Sequence, residues 1–320
     1  MGSRVGPARL PVRRPAGCPH YGVRPRKVIH VLESPSTRHL DSRTARRRRR
    51  AGNRLVAHFI RDREAPVSEI RKGPVVQHET GEVKVKVEDR CMRVTIDRPA
   101  KRNALTQAMY KTMADSLLEA DSDRDVGVVL ITGVADVFTS GNDLTEFASG
   151  APLDEVARFL AALSSVRVPV VAAVNGIAVG IGLTLLLHCD LVYVEPTAEL
   201  SAPFVELGLV PEAASSLLLP RVVGERRASE LILTGRHLTG SEAAEWGLAN
   251  AAVSPVLEAA LAAASQVAGQ PPLASRASKT LLRSSEPTVE GRMAEERAAF
   301  LEALSGPEFA AVISARMART

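Results

Sequence analysis

The sequence predicts an α/β fold that ends in a helical C-terminal region. Short apolar runs typical of buried strands alternate with segments whose apolar residues recur at helical spacing. Strands that alternate with helices indicate parallel β-α-β units joined by short right-handed crossovers. From Ala213 onward strand signals are scarce, and apolar stripes at 256–268, 274–283 and 292–304 indicate helices. A chain of 320 residues, 45% of them hydrophobic, can bury a core of this kind.

The first expected strand begins near Glu82, where Val83, Val85 and Val87 alternate with charged residues in the period-2 pattern of a strand. The elements expected after it are a strand at 93–96, a helix at 106–119, a buried strand at 128–132, a helix at 153–163, a buried strand at 170–174, a helix at about 182–188 and a strand at 191–194. Aromatic residues make up only 3% of the chain, so aliphatic side chains must build the core.

Charge and composition divide the chain into an extension at 1–78 and a domain at 79–320, which comprises a core at about 82–255 and a helical part at about 256–320. Residues 1–75 carry 19 Lys and Arg against 5 Asp and Glu, a net charge of +14 within a whole-chain charge of +5. This segment is rich in Arg, Pro and Ser and lacks apolar periodicity, so it cannot bury enough surface to fold alone. We expect it to be disordered and dispensable for the domain.

Three roles remain open for the extension: a dispensable upstream segment, an organelle transit peptide, or an arm that binds nucleic acid or a membrane surface. Arg-rich, acid-poor sequence is typical of transit peptides, but prolines at 7, 11, 15 and 25 interrupt the usual amphipathic helix. The run from Arg46 to Arg50 attracts phosphates, yet no aromatic residue is interleaved to stack on bases. Nucleic acid is therefore not an expected partner.

The cysteines and the longest apolar run indicate the compartment. Cys18, Cys91 and Cys189 lie far apart without a C-x-x-C pair, which argues against a disulfide framework or a zinc knuckle and favours a reducing compartment. The run at 170–187 is interrupted by Asn175 and several glycines, and spanning a bilayer takes about 20 apolar residues. We expect a cytoplasmic protein without a membrane partner.

Three motifs carry the functional signal. They are Arg98-Pro-Ala-Lys-Arg-Asn-Ala-Leu105, Phe138-Thr-Ser-Gly-Asn-Asp-Leu144 and Ala173-Val-Asn-Gly-Ile-Ala-Val-Gly180. In this order and spacing they resemble the R-P-x-x-x-N-A-L, F-x-x-G-x-D-[LI] and N-G-x-A-x-G motifs of the enoyl-CoA hydratase/isomerase (crotonase) family. Weaker agreement at 231–235 and 243–248 extends the resemblance over nearly all of 82–320.

The resemblance implies the crotonase fold, a β-β-α spiral core followed by a helical C-terminal region. It also implies an acyl-CoA thioester substrate, with coenzyme A as part of that substrate, no separate cofactor and no metal. Members of the family assemble as homotrimers or as hexamers built from two trimers. By this resemblance the C-terminal helices from about Ala274 onward are expected at subunit contacts.

Enolate chemistry on a thioester requires hydrogen-bond donors where negative charge develops on the carbonyl oxygen. Gly141 permits a turn that directs the next amide into a pocket, and Gly180 and Gly182 let a helix begin with its first free amides facing a ligand. By motif position, the two oxyanion-hole amides of the family fall on Asn142 and Ile181.

The resemblance also suggests where coenzyme A binds. It places the adenine near the backbone of Ser140, and it makes Lys101 or Arg102 the candidates for the phosphates. Asp143 is expected to cap the glycine turn and organise its loop. The remaining residues of the expected binding set are Gly141, Leu144 and Gly180.

The acid-base positions of the family indicate the reaction. Hydratases typically place one glutamate on the helix opened by the glycines and another after a proline about twenty residues later, so that the pair activates water. The matching positions here are Thr184 and Phe204, neither of which can exchange a proton usefully. The hydratase pattern is therefore broken at both places.

Glu212 is the candidate catalytic base. Its segment at 209–216 resembles the P-E-x-x-S-S segment of peroxisomal-type Δ3,Δ2-enoyl-CoA isomerases. One base suffices for that reaction, because it removes a proton from C2 and returns it to C4. Leu209, Val210 and Leu217 are expected to surround the carboxyl and raise its pKa.

Other interpretations remain open at this point. Glu206 or Glu146 could serve a hydratase or another crotonase reaction in a rearranged site, and a catalytically silent module could bind acyl-CoA without turning it over. Glu212 could instead have no catalytic role and only interact favourably with the dipole at a helix N-terminus. His188 lies in an apolar helix without a second ligand at metal spacing, so we expect a satisfied core histidine.

Overall fold

Two β-sheets form the centre of the computed structural model, which describes residues 77–149 and 153–318. In chain order the strands are β1 (Gln77–Thr80), β2 (Val83–Glu88), β3 (Cys91–Ile96), β4 (Val128–Gly133), β5 (Val137–Thr139), β6 (Val170–Val174), β7 (Ile177–Val179), β8 (Leu191–Val194), β9 (Glu199–Ser201), β10 (Leu238–Thr239) and β11 (Ala251–Ala252). The extension predicted at 1–78 lies outside the described residues except for residues 77 and 78, which belong to β1 and are not disordered as expected.

The larger sheet has the strand order β1-β2-β3-β4-β6-β8-β11. Its first three strands pair antiparallel, and every pairing from β3 onward is parallel, as alternating strands and helices predict. All five residues of β6 are buried, which is the signature of a strand covered on both faces. The strands expected at 128–132, 170–174 and 191–194 are confirmed, and β1 is a strand that the sequence pattern did not indicate.

The smaller sheet has the order β10-β9-β7-β5, with β7 parallel to both β5 and β9. Its strands contain only two or three residues each, so they show no apolar periodicity, and the sequence does not predict them. A Thr139 to Ala178 pairing places the ends of β5 and β7 side by side. This sheet matters for function because two of the three motifs continue from its strands.

Eleven α-helices lie in the described part of the chain. They are α1 (Gln107–Ser122), α2 (Leu144–Ala148), α3 (Asp154–Ser165), α4 (Ile181–Thr184), α5 (Ser215–Val223), α6 (Glu225–Thr234), α7 (Gly240–Glu245), α8 (Val256–Ala268), α9 (Pro272–Arg283), α10 (Val289–Ser305) and α11 (Pro307–Met317). The helix expected at 182–188 is shorter than predicted, because α4 tightens into a 3-10 turn at Leu185–His188.

The hydrophobic core lies on both faces of the larger sheet. On one face α1 and α3 pack with the smaller sheet, and the buried side of α1 contains Met109, Met113 and Leu117. On the other face α8 covers Leu130 and Val171. The helical C-terminal region is as predicted, with α11 as an additional helix beyond the expected stripes.

Within the described residues no single helix is long and apolar enough to cross a membrane by itself. The helices Val289–Ser305 and Pro307–Ala315, which meet at a bend of 62°, reach that length and composition only as a pair.

Candidate active site

Two glycine turns meet at the edge of the smaller sheet. The parallel strands β5 and β7 are followed by Gly141 and Gly180, whose φ angles of 98° and 58° lie in the left-handed region. A Cβ atom on Gly141 would lie 3.1 Å from the carbonyl oxygen of Val179, so the first turn packs directly against the end of β7. The topology therefore brings Asn142 and Ile181, the residues after these glycines, to one edge.

The backbone amides of Asn142 and Ile181 have no acceptor among the described residues. Around Asn142, the Leu105 amide donates to the Gly141 carbonyl at 2.8 Å, and the Asp143 amide donates to the Leu105 carbonyl at 2.9 Å. These bonds fix the peptide on either side and leave the Asn142 N–H free. Ile181 opens α4, and the first N–H groups of a helix lack intrahelical partners.

Gly182 lets α4 begin close to β5. A Cβ atom at this position would lie 2.8 Å from the Cγ2 atom of Thr139, a separation that real side chains do not reach. A Cβ atom would also lie 3.1 Å from the Thr139 carbonyl oxygen, so a larger residue at this position requires a shift of its neighbours. The glycine therefore allows α4 to begin this close to the strand that precedes Asn142.

Asn103 braces the end of β5, a role that sequence reasoning did not assign to any residue of the first motif. Its buried side-chain amide donates to the Val137 carbonyl at 2.7 Å, and its Oδ1 accepts from the Arg98 amide at 2.8 Å. The Thr139 hydroxyl donates to the Asn103 carbonyl at 2.7 Å. These bonds tie the loop at 98–105 to the strand that leads into the glycine turn.

Asp143 organises the segment after the turn. Its Oδ1 accepts from the Thr145 and Glu146 amides at 2.9 and 3.3 Å and so caps α2. Its Oδ2 accepts from the Arg98 guanidinium at 2.6 Å, and this hydrogen bond holds the pKa of Asp143 below its usual range. Asp143 is thus engaged on both oxygens by the protein itself.

The predicted coenzyme A residues surround the same turn. The Ser140 amide donates to the Arg102 carbonyl at 3.1 Å, so the loop with Lys101 and Arg102 lies beside Ser140. Both basic side chains are exposed, and neither has an ion-pair partner among the described residues. Leu144, at the start of α2, is also exposed. The side chains exposed around the turn are therefore two cations from the neighbouring loop and one apolar residue of α2.

Glu212 lies in the segment between β9 and α5. Its side chain is partly buried, and its Oε1 atom is fully buried without a hydrogen-bond partner. Burial raises the pKa of the Glu212 carboxyl. Leu209, Val210 and Leu217, the side chains expected around this carboxyl, are themselves exposed.

Tyr110 contacts the residue that follows the first glycine turn, and sequence reasoning missed it. Burial, and secondarily the charge of Glu212, raises the pKa of Tyr110, so the phenol lies within electrostatic range of the carboxylate. The Tyr110 hydroxyl donates to Oδ1 of Asn142 at 2.5 Å. No local pattern distinguishes this tyrosine from an ordinary core residue of α1.

Of the two alternative catalytic carboxylates, Glu146 is hydrogen-bonded within the protein and Glu206 is exposed. Oε2 of Glu146 accepts from the Gln107 amide at the start of α1 at 2.8 Å. Glu206 is exposed, and its carboxylate lies against Gly235, where a Cβ atom would approach Oε1 to 2.3 Å. At the hydratase positions, Thr184 is fully buried and Phe204 belongs to the main core cluster.

His188 is satisfied inside the protein. Its Nε2 atom donates to the Ala213 carbonyl at 2.8 Å, because a carbonyl oxygen only accepts, and burial lowers the pKa of the imidazole. Among residues 77–149 and 153–318 no three His, Cys, Asp or Glu side chains are grouped so that they could hold a metal ion.

Comparisons with known proteins agree with this geometry. Residues 86–307 match the family model for enoyl-CoA hydratase/isomerase. The chain is 37% identical over 226 residues to 2,3-dehydroadipyl-CoA hydratase of Escherichia coli strain K12, an alignment that covers 68% of this chain and 89% of that protein. It is 39% identical over 165 residues to enoyl-CoA delta isomerase 2 of Rattus norvegicus, covering 49% of this chain and 42% of that protein.

The solved structures confirm the crotonase fold that the motifs imply. The structure of an enoyl-CoA hydratase/isomerase from Pseudoalteromonas atlantica T6c superposes with a TM-score of 0.62 at 40% sequence identity. The superposition covers 75% of this chain and 98% of that one. The chain therefore belongs to the enoyl-CoA hydratase/isomerase (crotonase) family, whose enzymes act on acyl-CoA thioesters in fatty-acid metabolism.

Proposed function

We propose that this enzyme is a Δ3,Δ2-enoyl-CoA isomerase with Glu212 as its single acid-base residue. The observation that carries the proposal is the partly buried Glu212 carboxyl, which has an unpaired oxygen and a raised pKa. The two positions where hydratases of the family hold glutamates are Thr184 and Phe204, neither of which carries a carboxylate. A reaction that needs one base and no water fits this set of residues.

In the proposed reaction the thioester oxygen of a 3-enoyl-CoA binds between the amides of Asn142 and Ile181. Ionised Glu212 removes a proton from C2, and the electron pair delocalises over the diene and the thioester oxygen as a dienolate. The two amides stabilise the negative charge that develops on that oxygen. Glu212 then returns the proton to C4, which leaves the double bond between C2 and C3. Substrate and product are isomers, so the balance needs neither water nor a redox partner.

The raised pKa of Glu212 suits both proton transfers. A carboxylate that is poorly solvated is a stronger base toward C2 than an exposed one, and the resulting acid can give the proton to C4 without help. Tyr110 supports the arrangement because its hydroxyl donates to the Asn142 side chain while the backbone N–H of Asn142 remains free. Tyr110 thereby holds the residue that supplies one amide of the proposed oxyanion hole.

Substrate binding is proposed to rest on the glycine turn and on exposed cations. Lys101 and Arg102 lie beside Ser140 and are available for the phosphates of coenzyme A. The turn at Ser140 and Gly141 is proposed to hold the adenine through its backbone, and Leu144 and Gly180 complete the binding set. Coenzyme A enters and leaves as part of the substrate.

The names of the relatives do not decide between isomerase and hydratase, since the rat relative is named as an isomerase and the Escherichia coli relative as a hydratase. The test is therefore an ultraviolet assay with 3-enoyl-CoA and 2-enoyl-CoA substrates side by side. We expect rapid isomerisation and poor hydration by the unmodified enzyme. Glu212→Gln is expected to lower isomerisation by about 10² to 10⁴-fold, which is typical for loss of a general acid-base residue.

Glu206→Gln is the matched control, since it makes the same chemical change on an exposed side chain that lies against Gly235. It should leave isomerisation within about twofold of the unmodified rate, and acyl-CoA affinity should change little in either variant. Brisk hydration of 2-enoyl-CoA that survives Glu212→Gln would refute the isomerase assignment and direct attention to Glu206 and Glu146.

A further inference from the structure

The segment that follows Glu212 has an unusual backbone. Ala213 and Ala214 have φ angles of 52° and 53°, so two consecutive non-glycine residues occupy the left-handed region. L-residues other than Asn and Asp rarely adopt this conformation, and it persists only where surrounding contacts impose it. These two left-handed residues connect Glu212 to the start of α5.

Each carbonyl of this segment has a hydrogen-bond donor. Glu212 O accepts from the Ser215 amide at 2.9 Å and from the Ser215 hydroxyl at 2.6 Å, and Ala214 O accepts from two amides of α5. These donors belong to the same local turn, so they move with it. Ala213 O accepts from Nε2 of His188 at 2.8 Å, and this donor lies 25 residues earlier in the chain.

His188 is the last residue of the 3-10 turn that continues α4, the helix that Ile181 opens. One continuous helical segment therefore begins with a proposed oxyanion-hole amide and ends with the donor to the Glu212 segment. The backbone of His188 is held in turn by the guanidinium of Arg283 on α9, which donates to the His188 carbonyl and to Asp190. The imidazole is thus fixed at its base and directed at Ala213.

We propose that His188 is a positioning residue, whose Nε2–H bond to the Ala213 carbonyl fixes the distance between the Glu212 carboxylate and the oxyanion-hole amides. The inference rests on the proposed function, because it needs Glu212 as the base. His188 does not touch the reacting atoms. It holds the strained Ala213-Ala214 turn against the helical segment of Ile181, so that base and oxyanion hole keep one geometry through both proton transfers.

The pH dependence of the rate depends on the titratable and charged groups near Glu212 and His188. Tyr110 on α1 lies within range of Glu212, His188 reaches the segment from the 3-10 turn, and Arg283 and Asp190 lie behind His188. Burial, and then the nearby Arg283, lowers the pKa of His188, so the imidazole is neutral above its lowered pKa. The acid limb of the rate profile is assigned to Glu212 because the proposed mechanism needs that carboxyl in its ionised form.

The test compares His188→Leu, which removes the donor, with His188→Gln, whose amide nitrogen can take the place of Nε2. We expect His188→Leu to lower kcat for 3-enoyl-CoA by about 10 to 100-fold with KM within about threefold, since small misplacements of a catalytic group are costly. The acid limb of kcat should also move to lower pH, because a released Glu212 is better solvated. His188→Gln should restore kcat to within about fivefold and return the acid limb.

His188→Asn is a second variant without the bond to Ala213. Its side chain is polar but too short to reach the Ala213 carbonyl, so it should behave like His188→Leu. If His188 serves stability alone, His188→Leu should lower the melting temperature but leave the acid limb and the kcat of the folded fraction unchanged. That result overturns the proposal. Glu212→Gln is measured in parallel. If isomerisation survives Glu212→Gln, the proposed function itself is refuted. If Glu212→Gln loses isomerisation but the His188 variants keep the kcat and the acid limb of the unmodified enzyme, the positioning role alone is refuted.

Discussion

The Glu212 side chain combines a catalytic requirement with a cost to stability. Its Oε1 atom is buried without a hydrogen-bond partner, and an unsatisfied buried polar atom typically costs about 1 to 3 kcal/mol. The same desolvation gives the carboxylate its raised pKa. Residues at functional sites often carry such local penalties because the rest of the fold is stable enough to hold them.

Glu212→Gln is therefore expected to make the folded protein more stable at neutral pH while it abolishes isomerisation. Burial raises the folded-state pKa of Glu212 above its unfolded value, so the protonated form is favoured in the fold and stability is lost as pH rises through the folded pKa. The amide has no ionised form and escapes this loss. We expect the variant to gain roughly 1 kcal/mol at pH 7, or about 2 to 4 °C in Tm, by differential scanning calorimetry.

The gain should vanish near pH 4, where Glu212 is protonated in the folded state and increasingly protonated in the unfolded one. Glu206→Gln serves again as the control, because it makes the same chemical change on an exposed carboxylate. A Glu212→Gln variant that is less stable than the unmodified protein at pH 7 would show that the carboxylate makes a stabilising interaction.

Tyr110 shows how a residue without a motif can belong to the site. The tyrosine is buried against Phe159 of α3, with 5.5 Å between the ring centroids, and by this criterion it is a core residue of α1. Its hydroxyl nonetheless donates to the Asn142 side chain and lies within electrostatic range of Glu212. The ring contributes to packing and the hydroxyl to the site.

Among the elements, α9 is attached to the domain by cations rather than by an apolar face. Lys279 is its one buried residue, and its ammonium donates to the Val168 carbonyl at 2.8 Å and to Asp190 at 2.8 Å. Arg276 donates to the carbonyls of Ala120 and Val126 at the end of α1 and just beyond it, at 3.0 and 3.1 Å. The apolar stripe in the sequence located this helix correctly, but its contacts with the core are polar.

Lys279→Met should test this attachment. The methionine keeps most of the side-chain volume but leaves Asp190 without one cation and the Val168 carbonyl without a donor. Removing one partner of a buried ion pair costs about 3 to 5 kcal/mol, and we expect roughly 3 kcal/mol because Arg283 still pairs with Asp190. Urea denaturation followed by circular dichroism measures the change.

Lys111→Met is the matched control for this measurement. The Lys111 ammonium is exposed and pairs with Asp115 on the same helix, an arrangement typically worth less than about 1 kcal/mol. Equal losses of stability in the two variants would contradict a special role of the buried ammonium in holding α9.

At the scale of the whole molecule, the C-terminal helices expose an apolar surface. No residue of α10 is buried, and large apolar side chains face outward on α10 and α11. The exposed members of this surface are Val289, Met293, Phe300, Leu301, Leu304 and Phe309. Exposed apolar side chains that gather into a patch usually mark an interface between proteins. We therefore keep the proposal that these helices form subunit contacts in a homotrimer or hexamer.

Phe300→Glu should weaken that assembly, because it places a charge in the proposed contact without a partner. Sedimentation equilibrium of the unmodified protein at micromolar concentration should give a mass of three or six chains, and the variant should shift toward smaller species. Leu118→Glu on the exposed face of α1 is the control and should not change the mass. A monomeric unmodified protein would contradict the proposed contact surface.

The sequence by itself determined the class of fold, most of the larger sheet and the family. The patterns behind these predictions are local: β6 is a continuous apolar run because both of its faces are covered, and α1 shows helical spacing because one of its faces is buried. The glycine motifs also directed attention to Asn142 and Ile181, since a positive φ or a close approach requires glycine itself.

The tertiary structure alone decided how the site is assembled. The smaller sheet, which brings the turns at Gly141 and Gly180 together, is built from strands too short to leave a periodic signal. The hydrogen bonds from Tyr110 to Asn142 and from His188 to Ala213 join residues that lie far apart in the chain. Contacts of this kind depend on how elements pack, and a local pattern reports only which face of each element is buried.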